Sequence, residues 1–131
     1  MKKFIITSAF LSIGFWMNAQ TQINMIWCGN KEAGNSESIV LTPECMMEGP
    51  RFWNPEMGEF KCLGFKMALV QNDVSTVFTS FNGELTEGMR VSFKSNTPVG
   101  FIQFYDVIVL SSSGEAILSD KVYKVRYKLS K

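Results

Sequence analysis

The chain contains no histidine. That removes the side chain most used for proton transfer near neutral pH and the commonest transition-metal ligand. Serine–histidine and cysteine–histidine nucleophile pairs, HExxH zinc sites and histidine-containing zinc fingers are therefore excluded. Charge of one sign is also scarce: 13 basic side chains stand against 12 acidic ones, a net charge of +1. Neutralising a phosphate backbone calls for a cationic excess, so no nucleic acid is expected as a partner. There is no CxxC pair to support redox catalysis and no GxSxG, P-loop, dinucleotide or EF-hand spacing. The chain is thus expected to have no catalytic residues, no metal and no cofactor.

What stands first is a leader. Lys2 and Lys3 precede an apolar run from Phe4 to Met17, and the polar exit Asn18-Ala19-Gln20-Thr21 follows. This order is that of a secretory signal peptide, with cleavage expected after Ala19. The run falls short of the roughly 20 apolar residues that a spanning helix needs. Residues 1–19 are accordingly assigned to a leader and 20–131 to one exported domain, not membrane-spanning, in the periplasm, at the cell surface or outside the cell. Loss of the leader removes two lysines and no acid, which leaves the exported part nearly neutral. A domain of this size buries about two thirds of its unfolded surface, enough for a core without obligatory disulfides.

Cys28, Cys45 and Cys62 all follow the leader, where an oxidising compartment permits one bridge. Three pairings are available. Cys28 with Cys45 is the expected one, because both sit in the irregular front part, whereas Cys62 lies in an alternating apolar run and reads as a core residue. Three buried thiols without a bridge are the alternative.

Residues 20–58 form the less regular part, with turn clusters at Gly29-Asn30-Lys31, Gly34-Asn35-Ser36, Glu48-Gly49-Pro50 and Asn54-Pro55 around strand candidates at Ile23–Cys28 and Ser38–Thr42. Pro43, Pro50 and Pro55 each lack a backbone donor, so the stretch from Pro43 to Gly58 reads as a surface excursion. From residue 59 onward, runs of β-branched and aromatic residues between clear turns predict an all-β, antiparallel, Ig-like β-sandwich. Strands are expected at Phe60–Gln71, with a bulge near Leu63-Gly64-Phe65, and at Val74–Phe81. After the turn at Asn82-Gly83, one helical turn at Leu85–Met89 and a short strand at Val91–Lys94 are expected. Phe101–Leu110, apolar on both faces apart from Gln103 and Asp106, reads as a central strand. In the last strand Tyr123, Val125, Tyr127 and Leu129 alternate with Lys124, Arg126 and Lys128. The cations read as a solvated edge-strand device, with an anion-binding stripe as the alternative.

Two groups of residues are candidates for chemistry. Asp106 interrupts an apolar run and is expected inside, where a carboxylate is costly unless hydrogen-bonded; a turn or backbone-bonding role is preferred to catalysis. Trp27, Phe52 and Trp53 lie outside the regular strands, and loop aromatics are common binding handles. They read either as a platform for sugar stacking or as plugs at one end of the core.

Over residues 60–129 the pattern resembles the C-terminal β domains of GldM, a periplasmic subunit of the gliding-motility and type IX secretion machinery of Bacteroidetes. The resemblance rests on Phe65-Lys66-Met67, Phe78-Thr79-Ser80 before Gly83, Leu85-Thr86 with Met89, Gly100 leading into Phe104-Tyr105-Asp106-Val107-Ile108-Val109, and Gly114 ahead of Tyr123-Lys124-Val125. A leader ending in Asn18-Ala19-Gln20 is similar to those of exported proteins of that phylum. The resemblance implies a β-sandwich of the kind that builds a periplasmic shaft, and it implies structural roles for Phe65, Leu85, Thr86, Met89, Gly100, Phe104, Asp106 and Tyr123. In the family a longer helix usually follows the Leu-Thr pair, where a strand is expected here.

The expected function is that of a non-catalytic, exported interaction module that binds a cell-envelope protein, linked by the resemblance to the gliding and type IX secretion machinery. Self-association is left open. The alternative is a glycan- or small-ligand-binding module that uses the loop aromatics, and a carboxylate enzyme around Asp106 is the third reading.

Overall fold

Strict alternation and β-branched content make most of this chain extended, and the structure, a computed structural model, describes residues 21–71, 73–95 and 99–129. The expected leader and its cleavage point lie outside the described residues. The elements run β1 (Asn24–Trp27), β2 (Asn30–Ala33), β3 (Asn35–Leu41), α1 (Pro43–Glu48), β4 (Arg51–Asn54) and β5 (Gly58–Gln71). They continue as β6 (Val74–Ser80), α2 (Glu87–Ser95), β7 (Val99–Leu110), β8 (Ala116–Leu118) and β9 (Tyr123–Leu129). The domain is all-β. Its hydrogen-bonded order is β2-β1-β4-β5-β7-β9-β3, with β6 added to β5 and β8 added to β7. Pairing is antiparallel except where β9 runs parallel to β3, which makes the sheet mixed.

The long strand β5 belongs to two layers at once. Its first residues pair with β4, and the rest pairs with β7 on one side and β6 on the other. The sheet therefore folds over on itself, with β1 and β4 facing β7 and β9. Trp27 meets Phe104 edge-on at 5.2 Å, and Phe52 meets Tyr123 at 5.3 Å. The two ends of the path, β2 and β3, are joined by the single residue Gly34, which gives the sandwich a barrel-like closure. Glycine is required at that corner: φ is +99°, and a Cβ would lie 2.9 Å from the Tyr123 side chain. Met25, Leu41, Phe52, Met67, Met89, Phe93, Ile102, Phe104, Val107, Val109 and Val125 are fully enclosed between the layers. Burying a side chain of this kind contributes about 1.5–3 kcal/mol each before chain entropy is set against it.

Both helices depart from the expected pattern. Val91–Lys94 is not a strand but part of α2, whose N-cap Thr86 accepts from the Met89 N–H at 3.2 Å. Leu85, Met89 and Phe93, spaced by four, all point into the core, while Val91 is exposed. Val91–Lys94 alternates like a strand over four residues, but helical spacing over the longer stretch decides the outcome. The stretch from Pro43 to Gly58 is likewise not a surface excursion. Thr42 caps α1, with Pro43 at its start, and Arg51–Asn54 pairs with β1 on one side and β5 on the other. Pro50 and Pro55 flank β4 rather than interrupt it, so neither removes a ladder bond.

Two compensating bulges shape the middle of the β5–β7 pair. One extra residue lies on β5 between Cys62 and Gly64, and one lies on β7 opposite the step from Gly64 to Lys66. Asp106 sits at the second, in the left-handed region at φ +49°, so its carboxylate is exposed and not inside. The last strand is not an edge strand, since β7 and β3 flank it. Its cations instead cover an aromatic ring, with Lys124 Nζ 4.9 Å and the Arg126 guanidinium 5.2 Å from the Phe101 centroid.

Candidate functional site

Three regions bring chemically distinctive groups together. The first lies where the front part meets α2. Cys28 and Cys45 form a disulfide with their Cα atoms 5.0 Å apart, while Cys62 carries a free thiol. Cys28 and Gly29 both adopt positive φ, the pattern of a tight two-residue hairpin loop between β1 and β2. The Trp27 indole N–H donates to the Cys45 carbonyl at 3.1 Å, and the Arg90 Nε donates to the Met46 carbonyl at 3.2 Å. These bonds tie α1 to β1 and α2. Trp27 and Phe52 are buried among the core aromatics, so they do not form an exposed platform; they seal the core. Deep packing, with Trp27 also 6.2 Å from Phe93, accounts for the difference.

The second region is the outer face of β1, β4 and the start of β5. Trp53 lies there in a cross-strand row between Asn24 and Glu59. Beside it Arg51 makes a two-pronged pair with Glu59, both contacts at 2.9 Å, and this bonding raises the Arg51 pKa further. A cleft of about 450 Å³ opens over Trp53, lined also by Gln22, Asn24, Lys31, Glu32 and Lys121. The Trp53 indole N–H is buried and has no hydrogen-bond partner among the described residues. All three aromatics lie on strands and not outside them, Trp27 on β1 and Phe52 and Trp53 on β4, because alternate side chains there pack inward; only Trp53 is part-exposed beside polar groups.

The third region is the flank formed by β6, the bulged middle of β5–β7, and β8. β6 pairs with β5 and has no strand on its other side among the described residues. Its seven residues, Val74-Ser75-Thr76-Val77-Phe78-Thr79-Ser80, carry no charge, and Val74 and Val77 are 63% and 55% exposed. Next to its end, Phe81 is 90% exposed and Leu118 64%. A depression of about 570 Å³ joins Leu63, Phe81, Ile108 and Leu118, with Lys66 and Asp106 at its rim. Lys66 Nζ and Asp106 Oδ2 are 3.6 Å apart, so the rim is electrically neutral. Asp106 therefore makes an exposed ion pair with Lys66 and is not a buried acid.

The remaining residues singled out by sequence hold the fold. Phe65, Leu85, Met89, Phe104 and Tyr123 are buried, and Thr86 caps α2. Gly100 admits the Tyr127 ring, which would lie 2.8 Å from a Cβ there. The Tyr123 hydroxyl donates to the Ile23 carbonyl at 2.8 Å, and burial pushes its pKa up to about 12. Burial pushes the Cys62 thiol up to about 11, which keeps it protonated and unreactive at neutral pH. Among the described residues no group of three or more Cys, Asp or Glu is placed to hold a metal ion. No described helix is long and apolar enough to cross a membrane. The β6 flank was missed because its parts are distant in sequence; the signal available was an uncharged β-branched strand followed directly by Phe81. No protein-family model, no curated protein and no solved structure matches the chain.

Proposed function

We propose that the protein is an exported, non-catalytic interaction module that binds an envelope protein through the β6 flank. The observation that carries this reading is the unpaired, uncharged edge of β6 beside the exposed Phe81, Ile108 and Leu118. Exposed flat edges are templates for strand addition, and natural proteins usually blunt them with charge or proline. The β2 edge follows that rule with Lys31 and Glu32, whereas β6 does not. The occupant is an extended segment of the partner, added as a strand, with an apolar side chain seated in the depression between Phe81 and Leu118. An uncharged segment suits it best, because neither β6 nor the neutral rim offers a charge to pair. The resemblance of residues 60–129 to GldM C-terminal domains directs the search toward components of gliding and type IX secretion.

The test is crosslinking of intact cells of the native host, with recovery of the tagged protein and of its Val77→Lys and Phe81→Ser variants. An envelope protein recovered with the native chain and lost with both variants supports the reading. Equal recovery with the variants, or recovery of no envelope protein, ends it.

A further inference from the structure

We propose that the cleft over Trp53 is a saccharide-binding site, separate from the β6 flank and independent of it. Three observations converge. Trp53 lines the cleft from an antiparallel strand pairing, in register with Asn24 and Glu59. An aromatic ring of this kind stacks on the C–H face of a pyranose, whose hydroxyls then point sideways. The groups around it match those hydroxyls: the Gln22 and Asn24 amides, joined by one hydrogen bond of 3.3 Å, keep further donor and acceptor capacity, Lys31 and Lys121 donate, and Glu32 accepts. The volume of about 450 Å³ lies within the range of small-ligand sites.

Other ligand classes fit less well. An apolar ligand would strip water from six polar or charged side chains, Asn35 among them, without replacing their hydrogen bonds. A simple anion would pair with Lys31 or Lys121 but would leave the aromatic side of the cleft unused. A polyhydroxylated ring uses the aromatic floor and the mixed donors and acceptors together.

The experiment is calorimetric titration of the purified protein with a panel of neutral and uronate-containing oligosaccharides, with tryptophan fluorescence followed in parallel. At least one sugar is expected to bind with sub-millimolar affinity. Trp53→Ala should weaken it about 30-fold, the size of an aromatic hot spot, and Trp53→Phe should retain part of the binding. Asn24→Ala and Lys121→Ala should each weaken it several-fold with unchanged circular dichroism, which keeps the test decisive if Trp53→Ala does not fold. Phe81→Ser should leave sugar binding unchanged, so failure here and failure of the β6 reading are distinguishable. A flat response across the panel, or affinity unaffected by Trp53→Ala in a folded protein, would overturn the proposal.

Discussion

The front of the molecule and its β6 flank handle apolar surface in opposite ways. At the front, α1, β1 and β4 turn Trp27, Phe52 and Cys45 inward, and a disulfide, an indole hydrogen bond and an arginine from α2 hold them there. At the flank, Val74, Val77, Phe81 and Leu118 stay in water, on or near the strand β6, which has one side unpaired among the described residues. The front is built for stability. On the proposed reading, stability and binding are carried by separate residues, and each is broken without the other.

The largest expected effect lies in the aromatic cluster. Trp27→Ala or Phe104→Ala should lower unfolding free energy by about 3–5 kcal/mol, read from urea denaturation, because each leaves a cavity between the layers. Loss of the disulfide comes next: Cys28 and Cys45 close a loop of sequence separation 17, and replacing both with alanine should cost about 2–4 kcal/mol. Gly83→Ala should cost more than about 1 kcal/mol, since φ is +83° and a Cβ would overlap the Cys62 carbonyl. By contrast Val77→Lys and Phe81→Ser should change stability by less than about 0.5 kcal/mol while abolishing partner recovery. A large loss of stability at Phe81 would break the comparison.

A pH series sharpens it further. Tyr123 and Cys62 titrate in the folded protein near about 12 and about 11, above their ordinary values of 10.0 and 9.0. A raised pKa of this kind means that the unfolded state gives up its proton first. Stability from these groups is complete below about pH 9, and it is lost as pH rises through 9 to 12. The denaturation midpoint should therefore be level up to pH 8 and fall in that window, with tyrosinate absorbance appearing as the protein unfolds.

The strands from Phe60 onward were legible because alternation and turn residues are local signals. β7 and β9 in particular show their buried faces in the bare sequence. Less legible was whatever depended on the rest of the molecule. The parallel pairing of β9 with β3 joins residues nearly ninety positions apart, and no local pattern announces it. The helix α2 was hidden because Val91 to Lys94 alternates like a strand, although Leu85, Met89 and Phe93 keep helical spacing. Asp106 was placed on the wrong side because a bulge reverses the facing of one residue, and periodicity assumes an unbroken pleat. Trp27, Phe52 and Trp53 turned out to lie on strands, where exposure separates Trp53 from the other two, and exposure is a tertiary property.

The most direct test of the central claim is a photo-crosslinker placed in turn at Val77, at Phe81 and, as the contrasting edge, at Lys31, in cells of the native host. Val77 and Phe81 are both expected to crosslink to the same envelope protein, and Lys31 is not. Crosslinks of equal yield from Lys31, or none from the β6 positions, would contradict it.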